Sequence, residues 1–120
     1  MVFLLYRREG ETPMPIYNKL VRDRIPEIIE QTGKKFSTKI LDNTEYIKEL
    51  KKKSFEELEE YVNTVNNEEA IEELADVLEI IHALAAYHGA SIEKLEEVRK
   101  KKAQKRGSFR EKVFLIEVSE

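Results

Sequence analysis

Apolar residues recur at helical spacing through the middle of the chain. With successive residues placed about 100° apart, Tyr46, Ile47, Leu50, Phe55, Leu58, Tyr61 and Val62 fall on one broad arc. A second arc holds Ile71, Leu74, Val77, Leu78, Ile80, Ile81 and Leu84. The polar punctuation sets the ends. Asp42 with Glu45, and Asn66 with Glu69, have capping-box spacing and predict helices from Asn43 to Val62 and from Asn67 to about His88, the latter stopped at Gly89. Ser91 caps a third long helix from Ile92 to about Arg106, closed by Gly107. Pro26 suits the first turn of a short helix that ends at Gly33. Phe36 to Leu41 reads as extended. Val2–Tyr6 and Lys112–Val118 read as short strands that could pair at the termini. The expected fold is all-α, a four-helix bundle-like domain built on an antiparallel hairpin of the two longest helices. Residues 14–120 are expected to form the domain, and residues 1–13, in which the apolar Val2–Tyr6 run is followed by a polar stretch from Arg7, read as an N-terminal extension.

Four acidic residues break the helical pattern. Glu73 lies between Ile80 and Leu84 on the wheel, inside the apolar arc, and Asp76 lies on its flank. Glu57 lies between Tyr46 and Leu50, again inside the arc, and Glu60 lies on the flank. Glu56, Glu59, Glu72 and Glu79 point away. A short connection makes the two helices antiparallel neighbours. Glu60 and Glu73 are equally far from the middle of Asn66–Asn67, and so are Glu57 and Asp76. The four carboxylates should therefore share one level of the hairpin. Buried like charges repel and require a cation. An all-oxygen ligand set without His or Cys favours Mg²⁺, or Mn²⁺, over zinc or copper. Such a metal bridges carboxylates to phosphate, which points to a di- or triphosphate substrate. Glu56 is the nearest spare carboxylate for orienting or deprotonating water. The plainer alternative is an ion-pair network, with Lys53 on the same flank as Glu60.

Cations for phosphate are expected in two places. Arg99, Lys102 and Arg106 share a side of the last helix with Ile92 and Leu95, whereas Lys100, Lys101 and Lys105 point elsewhere and suit the helix dipole. Before the first helix, Asn18, Lys19 and Arg22 crowd around Leu20 and Val21, either as plain surface or turned toward a ligand. His82 and His88 read as structural, and no phosphate-binding glycine loop is present.

Composition narrows the class. The 120 residues suit one domain, 41% are hydrophobic and 38% charged, and the net charge of −3 argues against general nucleic-acid binding. No cysteine is present, so disulfides and thiolate chemistry are excluded. No apolar run approaches the roughly 20 residues of a membrane span, and the apolar start is too short for a secretion signal. The expectation is a cytoplasmic protein that binds neither membrane nor nucleic acid.

Glu56-Glu57-Leu58-Glu59-Glu60, followed after twelve residues by Glu73-Leu74-Ala75-Asp76, resembles the EExxE and ExxD motifs of the MazG-like, all-α nucleoside triphosphate pyrophosphohydrolases. The segment from Tyr17 to Pro26 and the segment from Lys102 to Phe109 look like a small single-domain branch of that superfamily. The likeness covers roughly residues 14–115. It implies a MazG-type fold, assembly as a homodimer or homotetramer, and Mg²⁺-dependent hydrolysis between the α and β phosphates to a monophosphate and pyrophosphate. Carried over by position, Glu57, Glu60, Glu73 and Asp76 are metal ligands, and Lys102 and Arg106 face the phosphates. Some relatives act on phosphoribosyl-ATP, so a related metabolic pyrophosphohydrolase is one alternative. A non-catalytic helical module that binds a nucleotide or a protein is another.

Overall fold

A computed structural model of the chain describes residues 15–120. Four helices follow in order: α1 (Ile25–Gln31), α2 (Asn43–Val62), α3 (Asn67–Tyr87) and α4 (Ile92–Arg106). The fold is all-α and consistent with a helical bundle, and no strand element forms among the described residues. Residues 112–118, expected as a strand, have no regular secondary structure. The partner expected for them, Val2–Tyr6, lies outside the described residues, as does the extension at 1–13. Among the described residues, no backbone hydrogen bond engages residues 112–118.

The helix ends follow the capping chemistry. Asp42 Oδ1 accepts from the Glu45 N–H at 2.8 Å, Asn66 Oδ1 from the Glu69 N–H at 2.8 Å, and Ser91 Oγ from the Lys94 N–H at 3.1 Å. Each bond satisfies an amide that the helix itself leaves unpaired. At the other end of α3, Gly89 takes φ 78°, the Gly89 N–H donates to Ala86 O at 3.0 Å, and the Ala90 N–H donates to Ala85 O at 2.9 Å. This paired closure needs a left-handed residue, and glycine adopts it without a Cβ clash.

α2 and α3 pack along one another as the expected hairpin, and α4 leans on α3 alone. α1 approaches no other helix closely. Its tie to the hairpin runs through the segment before it. The register of the hairpin is confirmed at its open end, where the Tyr46 and Tyr87 rings, equally far from the turn, meet with centroids 6.2 Å apart.

The core is narrower than the two apolar arcs. Among the described residues, only Leu50 and Ile80 are buried apolar residues. Phe55, Leu58 and Val62 on α2, and Ile71, Leu74, Leu78 and Ile81 on α3, are exposed. Two helices in contact each bury one stripe, and an arc wider than that stripe is left in solvent. No helix among the described residues is long and apolar enough to cross a membrane.

Candidate metal centre

The hairpin brings three of the four inward carboxylates together. Glu57, Glu60 and Glu73 each place one oxygen within 4.8 Å of the others. Glu57 lies two helical turns from Leu50 in the stripe that faces α3, and it is the one buried charged residue among those described, with 9% of its surface exposed. Glu73 is half-buried on α3, and Glu60 is exposed at the rim. Placement on the arc therefore decided depth, as the wheel implied.

Depth leaves two oxygens without partners. Glu57 Oε2 and Glu73 Oε2 are both buried and accept no hydrogen bond. A buried carboxylate oxygen without a donor is costly, and more so beside another negative charge. The electrostatics agree. Burial raises the Glu57 carboxyl above its ordinary value, Glu60 adds to this, and Lys53 opposes it. Burial also raises Glu73, followed by the charges of Glu60, Asp76 and Glu57. Both groups favour either a proton or a cation in this place.

Two cations of the chain already lie against the cluster. Lys53 Nζ is 3.6 Å from Glu57 Oε1, an i,i+4 pair on α2. It meets the oxygen opposite to the unpartnered one, so it leaves Oε2 unsatisfied. Asp76, expected at the level of the other three, instead accepts from Arg22 Nη2 at 2.6 Å, with Glu79 4.0 Å from the other guanidinium nitrogen. Asp76 is close enough to raise both Glu57 and Glu73, but its carboxylate is not within the three-glutamate group. The partner it meets instead is the long Arg22 side chain, which comes from the segment before α1.

The cluster opens onto a cleft of about 930 Å³, into which Glu60 and Glu73 project from the hairpin and Asn18, Lys19 and Tyr17 from the segment preceding α1. Glu56, expected to point away, lines this cleft and pairs with Lys19 Nζ at 3.6 Å. Glu59 and Glu72, also expected on outer faces, lie on the same wall. The outward direction from the hairpin is here covered by the N-terminal segment, which turns a solvent face into a wall. Asn18 stands at φ 46°, a left-handed conformation that asparagine tolerates better than most residues.

The cations of α4 are placed elsewhere. Arg99, Lys102 and Arg106 are exposed, and none lines the cleft of its own chain. Arg99 forms a two-pronged pair with Glu96, its Nε at 2.8 Å, and that bond holds the Glu96 carboxyl below its ordinary value. Ile92, Leu95 and Ala103 are the half-buried residues beside them, so α4 packs too lightly to turn its long cationic side chains inward. Tyr87 packs against Tyr46 and His88, away from the cleft. Three contributors were missed from the sequence: Lys52 and the turn residues Asn63 and Thr64, all on the cleft wall. The i,i+3 and i,i+4 spacing of Lys52 and Lys53 to Glu56 and Glu57 was the signal available.

The donor set fits a hard divalent cation. All three grouped ligands are carboxylates, with no imidazole or thiolate nearby, and two of their oxygens lack any other partner. The cluster could hold a metal ion. Comparison with protein-family models, with curated proteins and with solved structures finds no match for this chain.

Proposed function

We propose that the chain is a Mg²⁺-dependent nucleoside triphosphate pyrophosphohydrolase, cleaving between the α and β phosphates to give a nucleoside monophosphate and pyrophosphate. The observation that carries this reading is the pair of buried, unpartnered oxygens on Glu57 and Glu73 beside Glu60 at the edge of an open cleft. The EExxE and ExxD spacing supports the choice of reaction. Glu57, Glu60 and Glu73 would hold the metal, with Asp76 as fourth ligand. Bound there, Mg²⁺ supplies charge neutralisation for phosphate and a more acidic water.

The chain's own residues have distinct tasks in this reading. Glu56, which lines the cleft and pairs with Lys19, would orient or deprotonate the attacking water. Asn18 and Lys19 line the wall that a nucleotide would meet. Arg22 pairs with Asp76 and would be released toward a phosphate if Asp76 turned to the metal. Lys102 and Arg106 reach no part of their own chain's cleft, so a phosphate role for them belongs to a neighbouring chain of a homodimer or homotetramer. The setting is cytoplasmic, where the nucleotide substrate and Mg²⁺ occur together.

A second reading has its own observation. Lys53 on Glu57 and Arg22 on Asp76 form the start of an ion-pair network, which would suit a non-catalytic helical module. One experiment separates the two. Purified protein is incubated with Mg²⁺ and a panel of nucleoside triphosphates, and the products are identified. Monophosphate with pyrophosphate supports the hydrolase. Orthophosphate identifies a different bond. Absence of both turnover and calorimetric Mg²⁺ binding leaves the module. Asp76→Ala is expected to abolish turnover while circular dichroism retains the helices, and full activity in that variant would remove Asp76 from the ligand set.

A further inference from the structure

The cleft differs in chemistry from one end to the other. Its α2 wall extends from Lys52 to the turn, and Lys52 stands about 16 Å along the axis from Asn63. Glu60, which marks the level of the three-glutamate group, lies eight residues from Lys52 and three from Asn63. The group therefore divides the cleft into two ends.

The cations gather at one end. Lys52 lines it from α2. Lys19 reaches the same end, because its Nζ lies 3.6 Å from Glu56, one turn along the helix from Lys52. A small adjoining hollow is lined by Lys19, Lys52 and Lys53 together. Lys19 offsets Glu56 there, and Lys52 adds a further positive charge to the wall.

The turn end is built the other way. Asn63, Thr64 and Glu69 line it, and among the described residues no lysine or arginine of the cleft wall belongs to this end. Thr64 Oγ1 donates to Tyr61 O at 2.7 Å, which commits its hydrogen and leaves its lone pairs. Glu69 Oε2 accepts from the Val65 N–H at 3.4 Å, and its carboxylate has capacity for further donors. The Asn63 amide offers an acceptor and a donor. A phosphate chain is anionic and presents acceptors, so the Glu69 carboxylate opposes it and the Thr64 lone pairs give it nothing to bind. Hydroxyl and amino hydrogens are what this end can hold.

We propose that a nucleotide lies in the cleft in one direction, with its phosphates past the metal group toward Lys19 and Lys52 and its sugar and base against Asn63, Thr64 and Glu69 at the hairpin turn. The features recognised there are the nucleoside's hydrogen-bond donors, its sugar hydroxyls and base N–H groups. Resting on the nucleotide reading, this assigns the end that discriminates one nucleoside from another. Residues 63–66 lie outside both helices, so the discriminating end can change without rotating the carboxylates.

Binding without turnover tests the direction. Parent and variants are titrated calorimetrically, in Mg²⁺, with inorganic tripolyphosphate and with the α,β-methylene analogues of ATP, GTP, CTP and UTP, which cannot be cleaved between the α and β phosphates. The parent is expected to bind at least one analogue more tightly than tripolyphosphate. K19Q/K52Q is expected to weaken tripolyphosphate and that analogue alike, by roughly 10-fold. N63A/E69Q is expected to weaken the analogue by roughly 5- to 10-fold and not to weaken tripolyphosphate. All four side chains are exposed, so the variants should fold, which circular dichroism checks. An N63A/E69Q variant that loses both ligands equally, or neither, overturns the direction, and so does a K19Q/K52Q variant that spares tripolyphosphate. A parent that binds none of these ligands refutes the nucleotide reading and the direction with it. Binding in the parent without separation between the variants refutes the direction alone.

Discussion

The two faces of the α2–α3 hairpin are incomplete in opposite ways. One holds carboxylates deeper than unpaired charge is ordinarily held, with Glu57 and Glu73 oxygens left without donors. The other leaves Phe55, Val62 and Ile71 in water. The same pair of helices cannot correct either fault from within. Burial of a charge demands a cation or a proton, and exposure of an apolar stripe demands another surface. The difference teaches that stability and chemistry are separable here. The cleft side carries buried charge, while the other side carries exposed apolar surface.

Glu57→Gln gives the largest contrast. It keeps the shape and removes the buried charge, so turnover and Mg²⁺ affinity are expected to fall by more than about 100-fold. The metal-free protein is expected to melt at a higher temperature than the parent, because an uncompensated charge has gone. Calorimetry for Mg²⁺ and a thermal melt in chelator read both signs. A lower melting temperature would instead make the Lys53 pair the reason for Glu57.

Leu50→Ala and Leu78→Ala set the inner stripe against the outer face. Leu50 is 2% exposed, and its truncation is expected to cost about 2–5 kcal/mol in denaturant unfolding. Leu78 is half exposed in the single chain, so its truncation should be nearly silent in dilute protein and become costly as protein concentration rises. Equal costs at all concentrations would deny the outer face any partner.

Proton competition is subtler. Glu57 and Glu73 are both raised above the ordinary carboxylate value of 4.5, so the folded chain binds these two protons more tightly than the unfolded chain does. Their contribution is fully present below that value and is lost as pH rises through the raised folded values. Metal-free stability should therefore decline over that interval, as measured by urea unfolding at a series of pH values. Mg²⁺ competes for the same oxygens, so its affinity should rise over the same interval. The smallest effect is expected at Glu72→Ala. Glu72 lines the cleft but has no ion-pair partner among the described residues, and its removal should change the turnover rate by less than about twofold.

Much of this was legible in the chain. Three N-caps and the glycine after α3 fixed the long helices, because capping is local chemistry read within three residues. The level of the carboxylates followed from distance to the turn, and Glu57 and Glu73 turned inward as their place between apolar neighbours required. What failed depended on partners far along the chain. Arg22 meets Asp76 across 54 positions, and no periodicity announces such a pair. Glu56 and Glu72 became cleft wall because the segment around Lys19 covers them. The apolar arcs looked uniformly buried because a wheel gives direction without saying how much of that direction a single neighbour fills. Arg99, Lys102 and Arg106 share a side with Ile92 and Leu95, but α4 is too lightly packed for that side to be an interior.

The matched distances from the turn also govern which changes in length the chain can accept. An extra residue between Asn67 and Glu73 would rotate everything beyond it by about 100° and advance it by about 1.5 Å. Glu73 would leave the cleft and Ile80 would leave the buried stripe together. An extra residue among 63–66 falls outside both helices and leaves each one's own faces unrotated. Length variation among descendants of this chain should therefore collect in that connection and be absent from the seven residues that follow it.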